Sequence, residues 1–341
     1  MTQLLQIPAK VAFQQERNNT YSTWCSSPAS TIASTEPDDA ATRIHDAMAQ
    51  IHPQGPALGL TRESRVFTMG SCFAREIEGA LVARGGRVIS MDQSYRIPAF
   101  HDGTERGYRL GFFHRFTPRA MLQEFQRCFD EIAWDDDTLL FETTPGGWTD
   151  FHYHWTKGLP NSREAAAERR AVARALVRRV IDADVVILTL GLIESWVHLP
   201  TGLHLNRFAP GLVRQRPEEL AFTQIDYADT LHCLEEIHAL LRRHHATGNF
   251  HMVVTVSPVP LQVTFSGQDI VIANAESKAT LRAATAAFCR SGKATYFPSY
   301  EILTHSDPKL AFRCDRVHVE PGMVRHIVDT FVRTHYAPGA L

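Results

Sequence analysis

The chain has 341 residues, of which 44% are hydrophobic and 21% are charged, and its net charge at pH 7 is -2. This composition is typical of a globular protein with a large core, and it excludes a strongly basic surface of the kind that binds nucleic acid. No run of about 18 apolar residues is present, so we expect no membrane span. The N-terminus, Met1-Thr2-Gln3, lacks a basic region followed by an apolar run, which predicts a cytoplasmic location without a secretory signal.

Residues 1–60 differ from the rest and are interpreted as an N-terminal arm. The stretch from Tyr21 to Thr42 is rich in Ser, Thr, Ala and Pro and has no sustained apolar period, which indicates irregular structure. We expect a short helix within residues 40–51. The remaining residues, 61–341, are interpreted as one domain with insertions.

The regular pattern starts near Arg65. The short apolar run Val66–Met69 ends at Gly70 and predicts a buried strand. Apolar residues then recur at helical spacing over residues 72–84, and Gly85-Gly86 ends this helix. Val88-Ile89 follows as a second strand. A strand, a tight turn, a helix and another strand are typical of the start of a parallel α/β layer.

The rest of the chain alternates strands and helices. Residues 91–160 are less regular, with one helix over 118–129 capped by Thr117 and an aromatic-rich segment, 148–155, expected to form strands or a loop. Further helices are predicted at 161–181, where Asn161 is the expected cap, and at 217–244, 274–290 and 321–335. Strands are predicted at 184–190, 251–256 and 294–297. This alternation predicts an α/β fold with a central parallel sheet.

Polar turns follow the predicted strands, where ligands bind in open parallel sheets. Ser71 comes directly after the first strand, at the start of a helix whose partial positive charge can stabilise an oxyanion. A serine hydroxyl needs a base to become a nucleophile. Asp315 and His318 are three residues apart, so the carboxylate can bond one imidazole nitrogen while the other faces a substrate. On spacing alone, the favoured alternative is that Ser71 and Asp315 are helix caps.

The segment Gly70-Ser71-Cys72-Phe73-Ala74 resembles the name-giving motif of the GSCFA family, within the SGNH-hydrolase-like group. Other matching segments occur in the same order and extend the resemblance over roughly residues 62–335; they are Thr189–Gly191 with Glu194 and Trp196, Thr255–Leu261, Ser277-Lys278 with Leu281-Arg282, Tyr296–Glu301, and Asp315 with His318.

The resemblance implies an SGNH-hydrolase-like, flavodoxin-like three-layer sandwich with a central parallel sheet and insertions. It also implies a triad of Ser71 as nucleophile, His318 as base and Asp315 as the group that orients the imidazole. The expected function is an O-acyl esterase or O-acyltransferase that acts on a glycan or another hydroxylated metabolite, with hydrolysis and transfer from an acyl donor both open. The alternative is a non-catalytic module that binds a glycan or a protein partner. No nucleic-acid partner is expected, and the oligomeric state is open.

The sequence departs from the group at the oxyanion site. The resemblance implies that a glycine N–H and an asparagine side chain serve as further hydrogen-bond donors to the oxyanion. The turn after the central strand reads Gly191-Leu192-Ile193, however, and lacks the asparagine. Losing one such donor typically slows the reaction by about a hundredfold to a thousandfold. Gly111 is favoured over Gly107 as the glycine donor. The side-chain candidates for the missing donor are Arg115, Asn206 and His154.

Three other residues of the matching segments carry reactive or charged side chains. Glu194 is a candidate for orienting a substrate hydroxyl or for bonding a backbone N–H. Cys72 is intrinsically more nucleophilic than Ser71, but it is expected to pack in the core. Lys278, on a helix, is favoured as a surface salt-bridge residue. The six cysteines include no CxxC pair, and no phosphate-binding glycine loop is present, so neither a metal nor a cofactor is predicted.

Overall fold

The computed structural model describes residues 6–27, 32–44, 47–53, 55–91, 114–132, 140–144, 147–150, 162–206 and 210–341. Its strands are β1 Arg65–Gly70, β2 Arg87–Val88, β3 Leu140–Thr144, β4 Gly147–Asp150, β5 Val185–Leu190, β6 Glu194–His198, β7 Leu203–Leu205, β8 Leu220–Gln224, β9 His251–Val256 and β10 Thr295–Tyr296. Its helices are α1 Ala9–Asn18, α2 Ala40–Arg43, α3 Cys72–Ala83, α4 Pro118–Cys128, α5 Arg163–Arg178, α6 Pro210–Gln215, α7 Tyr227–His244, α8 Ile270–Arg290, α9 Ser299–Thr304, α10 Pro308–Ala311 and α11 Pro321–His335. Within these ranges, none of the helices has the length and apolar character needed to cross a membrane.

The core of the fold is a five-stranded parallel sheet in the order β10-β9-β5-β1-β2. If these five strands are renumbered 1 to 5 in chain order, they lie in the order 5-4-3-1-2. The chain therefore starts at an interior strand, forms the edge strand next to it, and then adds the remaining three strands on the other side. Every residue of β5 is buried, as is expected of a central strand covered on both faces. The predicted α/β fold with a central parallel sheet is confirmed.

Helices pack on both faces of this sheet, because alternate side chains of each strand point to opposite sides. Val185 and Ile187 of β5 join an apolar cluster with α3, α9 and α11. Val186 and Leu188 of the same strand join a second cluster with α4, α7 and α8. Helix α3, which follows β1, and the long helix α7, which comes between β5 and β9, therefore cover opposite faces.

Two small antiparallel sheets lie outside the central sheet: β3-β4, and β7-β6-β8. The second sheet corrects the predicted helix over 217–244. Leu220–Gln224 is a strand that pairs with β6, and the helix begins only at Tyr227, where the Asp226 side chain caps it. In this segment, cross-strand pairing overrides the local helical pattern.

Two other helices start a few residues away from their predicted boundaries. Helix α8 begins at Ile270 instead of Asn274, with Asp269 as its cap. Helix α5 is capped by Ser162, whose hydroxyl accepts the N–H of Ala165. Asn161, the expected cap, lies outside the described residues.

The C-terminal end of the predicted arm is bonded to the last part of the chain. Helix α1 has no buried residue, and the helix expected within 40–51 spans only Ala40–Arg43. In contrast, the Ala49 N–H donates to Ser306 Oγ at 2.7 Å, and the Leu60 N–H donates to the His335 carbonyl at 2.9 Å. Residues 47–53 and 55–60 therefore pack against the C-terminal part of the chain.

Candidate functional site

The candidate site lies at the C-terminal ends of β1 and β5. These strands are neighbours in the sheet, yet the chain leaves β1 toward one edge and β5 toward the other. Where the strand order reverses in this way, the connections diverge to opposite faces and leave a crevice in which ligands bind. Ser71 follows β1 at this crevice and Gly191 follows β5.

The turn at Ser71 depends on a close approach between the two strands. Gly70 has a φ of 157°, and a Cβ on it would lie 2.4 Å from the carbonyl oxygen of Thr189. The Ser71 N–H donates to that same oxygen at 3.2 Å. Only glycine therefore fits immediately before the serine, which explains the Gly-Ser pair in physical terms.

Ser71 is the N-cap of α3, as the alternative interpretation from spacing expected. The same interpretation was wrong for Asp315, because Glu320 is the N-cap of α11. Oγ of Ser71 accepts the N–H of Phe73 at 3.3 Å, and Ser71 is only 2% exposed. The hydroxyl also donates to Oγ of Ser257, which directly follows β9, at 2.9 Å. The Ser71 hydroxyl thus lies at a helix N-terminus, with a second buried serine as its hydrogen-bond acceptor.

Backbone hydrogen bonds hold the strand ends together. The N–H groups of Gly191 and Leu192 both donate to the carbonyl of Phe116 at 2.9 Å, and the Arg115 N–H donates to the Gly70 carbonyl at 2.8 Å. Gly191 lies so close that a Cβ on it would be 3.3 Å from Cβ of Ser71. The segment 114–116 therefore joins the turns that follow β1 and β5.

Asp315 and His318 form a local pair in the loop between α10 and α11. Oδ1 of Asp315 accepts the N–H groups of Val317 and His318 at 2.9 Å, while Oδ2 lies 2.5 Å from Nδ1 of His318. This confirms the predicted carboxylate–imidazole bond. The bond from His318 is the main cause that lowers the pKa of Asp315, followed by the two backbone donors. The carboxylate is therefore charged and fixes the imidazole with Nε2 as the nitrogen left for other chemistry.

The serine and the histidine are not bonded to each other. The His318 and Asp315 side chains are 55% and 48% exposed, whereas Ser71 is buried. Among the described residues, the Ser71 hydroxyl donates to Ser257, and no hydrogen bond joins it to His318. In this structure the predicted nucleophile, Ser71, and the predicted Asp315–His318 pair are therefore not joined by a hydrogen bond.

The predicted oxyanion and substrate residues have different environments. Gly111, Gly107 and His154 lie outside the described residues. The Arg115 guanidinium is buried and pairs with the Glu124 carboxylate, with Nη2 2.7 Å from Oε2. Asn206 is 5% exposed and directly follows β7 in the antiparallel sheet.

Glu194 holds a neighbouring loop. Its carboxylate accepts the Thr264 hydroxyl at 2.6 Å and the Phe265 N–H at 3.4 Å. Of its two predicted roles, the bond to a backbone N–H is the one seen here. Glu194 therefore connects the start of β6 to the loop that follows Ser257.

The environment of Lys278 differs most from the sequence prediction. This lysine was expected at the helix surface, but it is 1% exposed, and its Nζ donates to the carbonyls of Gly191 and Val259, both at 2.8 Å. Burial lowers the pKa of Lys278 to about 7. The only signals in the sequence were its place in the Ser277-Lys278 segment and a helical phase shared with the apolar residue Leu281.

Cys72 is half-buried, and burial raises the pKa of its thiol. A thiol with a raised pKa is mostly protonated near neutral pH, so it is a poor nucleophile. Within the described ranges, no three His, Cys, Asp or Glu side chains gather in a way that could hold a metal ion. Burial therefore favours Ser71 over Cys72 as the candidate nucleophile at this turn.

Comparison with known proteins agrees with the motif seen in the sequence. No curated protein matches the chain. The sequence model of the GSCFA family matches residues 65–331, a range that begins with β1 and ends within α11. That range covers more than half of the chain and contains Ser71, Asp315 and His318. The protein belongs to the GSCFA family.

Proposed function

We propose that the protein is a serine-dependent O-acyl esterase or O-acyltransferase that acts on a glycan or another hydroxylated metabolite. The observation that carries this proposal is the position of the Ser71 hydroxyl. It lies at the N-terminus of α3 and at the edge where the strand order reverses. A helix N-terminus stabilises negative charge, which is what acyl transfer develops on the substrate carbonyl oxygen.

The proposal also assigns the fold to the SGNH-hydrolase-like group. The strand order β2-β1-β5-β9-β10 supports this, because it is the 2-1-3-4-5 order of flavodoxin-like three-layer sandwiches. The serine after the first strand and the Asp-x-x-His before the last helix match that group. A catalytic domain over residues 61–341 and a cytoplasmic location stay predictions.

In the proposed reaction, Ser71 Oγ attacks the acyl carbonyl carbon and Nε2 of His318 takes the hydroxyl proton. Asp315 stabilises the imidazolium that forms. The Ser71 N–H is already bonded to Thr189, so the N–H of Cys72, the first residue of α3, is the backbone donor next to the nucleophile. As the tetrahedral intermediate collapses, the ester C–O bond breaks and the His318 imidazolium gives its proton to the leaving oxygen, which releases the alcohol and leaves an acyl-serine. Water then completes hydrolysis, or an acceptor hydroxyl completes transfer.

Activation by His318 requires the Ser71 hydroxyl to change its acceptor. In this structure the hydroxyl donates to Ser257, and the His318 side chain is more than half exposed. A rotation about the Cα–Cβ bond of Ser71, together with closure of the 315–318 loop, joins the two halves of the triad when substrate binds. Catalytic hydrogen bonds commonly tighten only in the substrate complex.

The alternative is a non-catalytic module that binds a glycan or a protein partner. The observation that favours it is the burial of Ser71 and its hydrogen bonds as a helix cap. Against it, the bond between Asp315 and His318 orients an imidazole that is half exposed to solvent, an arrangement that contributes little to packing.

A fluorophosphonate probe tests the proposal, because it reacts with activated serines and needs no known substrate. We expect intact-mass spectrometry to show one adduct on the wild type and none on Ser71→Ala. Cys72→Ala, which changes the neighbouring nucleophile, is the matched control and should label at the wild-type rate. His318→Ala should label about a hundredfold more slowly, as is typical when a general base is lost. The absence of an adduct on the wild type would refute the proposal and favour the binding module.

A further inference from the structure

Two polar groups lie beside the Ser71 oxygen. Its Oγ accepts the N–H of Phe73 at 3.3 Å and lies 2.9 Å from Oγ of Ser257, which is fully buried. Phe73 is the second residue of α3, so its N–H has no partner inside the helix. The oxygen of Ser71 therefore marks one position that is within reach of both a helix N-terminus and a buried hydroxyl.

Backbone contacts hold Ser257 beside Ser71. The Ser257 N–H donates to the Leu190 carbonyl at 2.7 Å, which fixes the residue to the end of β5. Its hydroxyl accepts the Val259 N–H at 3.4 Å, and the Val259 carbonyl in turn accepts Nζ of Lys278 at 2.8 Å. A hydrogen-bond donor that is already in place stabilises a transition state without a cost of reorganisation.

The hydroxyl of Ser257 has an unused proton. A serine hydroxyl has one proton to donate and two lone pairs, and it rotates to suit its partners. The bonds that Ser257 Oγ accepts from Ser71 and from the Val259 N–H use both lone pairs, and within the described residues no hydrogen bond takes its proton. Ser257 is therefore able to donate to a new acceptor beside it once the Ser71 hydroxyl turns away.

Rotation of Ser71 toward His318 makes this position available to a second oxygen. A change between staggered rotamers moves a serine Oγ by roughly 2 Å. The two oxygens bonded to the carbon of a tetrahedral intermediate are also roughly 2 Å apart at ordinary bond lengths. An acyl carbonyl oxygen at the position that Ser71 Oγ has left therefore lies at a suitable distance from the attacking oxygen.

We propose that Ser257 is a further catalytic residue, whose hydroxyl donates to the oxyanion together with the backbone N–H groups at the start of α3. The oxyanion takes the position that the Ser71 oxygen occupies in this structure. This inference rests on the proposed function, because it concerns the same nucleophile. It supplies a side-chain donor in place of the asparagine that the turn after β5 lacks. Arg115, one of the expected candidates for that donor, is instead paired with Glu124.

The step is balanced in protons and electrons. As the bond from Ser71 Oγ to the acyl carbon forms, the π pair of the carbonyl moves to its oxygen, and Nε2 of His318 takes the serine proton. Ser257 and Phe73 donate hydrogen bonds to the oxyanion and keep their protons. When the carbonyl forms again, the ester C–O bond breaks and the proton on His318 passes to the leaving oxygen.

The test measures the rate of fluorophosphonate labelling at Ser71, because the phosphoryl oxygen of the probe takes the position of the carbonyl oxygen. We expect Ser257→Ala to label about a hundredfold more slowly than the wild type, which is a typical loss for one oxyanion donor. If Ser257 only held the Ser71 hydroxyl in its observed orientation, its removal would free the nucleophile and speed labelling. Ser299→Ala is the matched control. It removes another fully buried serine hydroxyl at the same sheet edge, one bonded to Thr255 and the Val256 carbonyl, and should leave the rate unchanged.

Two conservative variants separate hydrogen bonding from packing. Ser257→Cys fills nearly the same space, but a thiol is a weak donor, so this variant should label as slowly as Ser257→Ala. Ser257→Thr keeps the hydroxyl and should label about tenfold or more faster than Ser257→Ala. Thermal unfolding of each variant confirms that it is folded.

The structure of the wild-type adduct provides a test that needs no variant. We expect its phosphoryl oxygen to lie about 2.7–3.1 Å from Ser257 Oγ and from the Phe73 nitrogen, with Ser71 Oγ turned away from Ser257. A phosphoryl oxygen that bonds to neither group would show that the assignment is wrong.

The outcomes distinguish the two proposals. If the wild type forms no Ser71 adduct, the proposed function fails and the oxyanion assignment fails with it. If the wild type labels at Ser71 but Ser257→Ala labels as fast or faster, the proposed function stands and Ser257 is not an oxyanion donor. A Ser257→Cys variant that labels at the wild-type rate would likewise show that Ser257 acts only by filling space.

Discussion

Gly70→Ala tests the close approach on which the position of Ser71 depends. A Cβ at Gly70 would lie 2.4 Å from the carbonyl oxygen and 2.6 Å from Cβ of Thr189. One of these atoms is a backbone oxygen and the other is the first side-chain carbon, so neither can be displaced by a side-chain rotation. The contact can be relieved only if β1 moves away from β5. The φ of Gly70, 157°, is also one that residues with a side chain rarely adopt.

The expected loss follows from these two effects. Overpacking against atoms that cannot rotate costs about 1–3 kcal/mol, and a backbone conformation that disfavours a side chain costs about 1–3 kcal/mol. Their sum, about 2–6 kcal/mol, is a large part of a typical free energy of unfolding of about 5–15 kcal/mol. We therefore expect Gly70→Ala to fold weakly and to label slowly at Ser71.

Gly202→Ala is the matched control, measured by urea unfolding beside Gly70→Ala. Gly202 has a φ of 66°, but nothing lies within 4 Å of its Cβ position, so only the backbone cost of about 1–2 kcal/mol applies. The difference between the free energies of unfolding that the two variants lose measures the cost of the contact with Thr189. If Gly70→Ala loses no more free energy of unfolding than Gly202→Ala, the argument from close approach is wrong.

Three further predictions concern charged groups. Asp315→Asn should slow Ser71 labelling about a hundredfold with little change in thermal unfolding, because the pair is half exposed; unchanged labelling would remove the pair from the mechanism. Lys278 is neutral in the folded protein above its pKa of about 7, while the unfolded chain stays protonated up to about pH 10. The free energy of unfolding of the wild type, measured relative to Lys278→Met by urea titration, should therefore rise over this window by at most about 1.4 kcal/mol per pH unit; a difference independent of pH would contradict the buried neutral amine. Glu124→Ala leaves the Arg115 guanidinium, 2% exposed, without that carboxylate and should cost about 3–5 kcal/mol in urea unfolding. The double variant Arg115→Met/Glu124→Leu should recover part of that loss, and an equal loss in both would show that the ion pair is not the cause.

The sequence by itself determined the features that depend on short-range physics. The run Val66–Met69 before Gly70 predicted β1, and the apolar spacing after Ser71 predicted α3. The bond between Asp315 and His318 was predictable because a carboxylate three residues before an imidazole on a turn can reach it without help from other elements. These features follow from a few consecutive side chains and their backbone.

Tertiary structure alone decided the features that join distant parts of the chain. Leu220–Gln224 has a local helical pattern, but pairing with β6 makes it a strand. The Ser71–Ser257 bond spans 186 residues of sequence, and Lys278 is buried because two loops present their carbonyls to it. Periodicity reports which face of an element is apolar, but not which loops meet at a sheet edge. The acceptor of the Ser71 proton therefore emerged only when the strand ends were brought together.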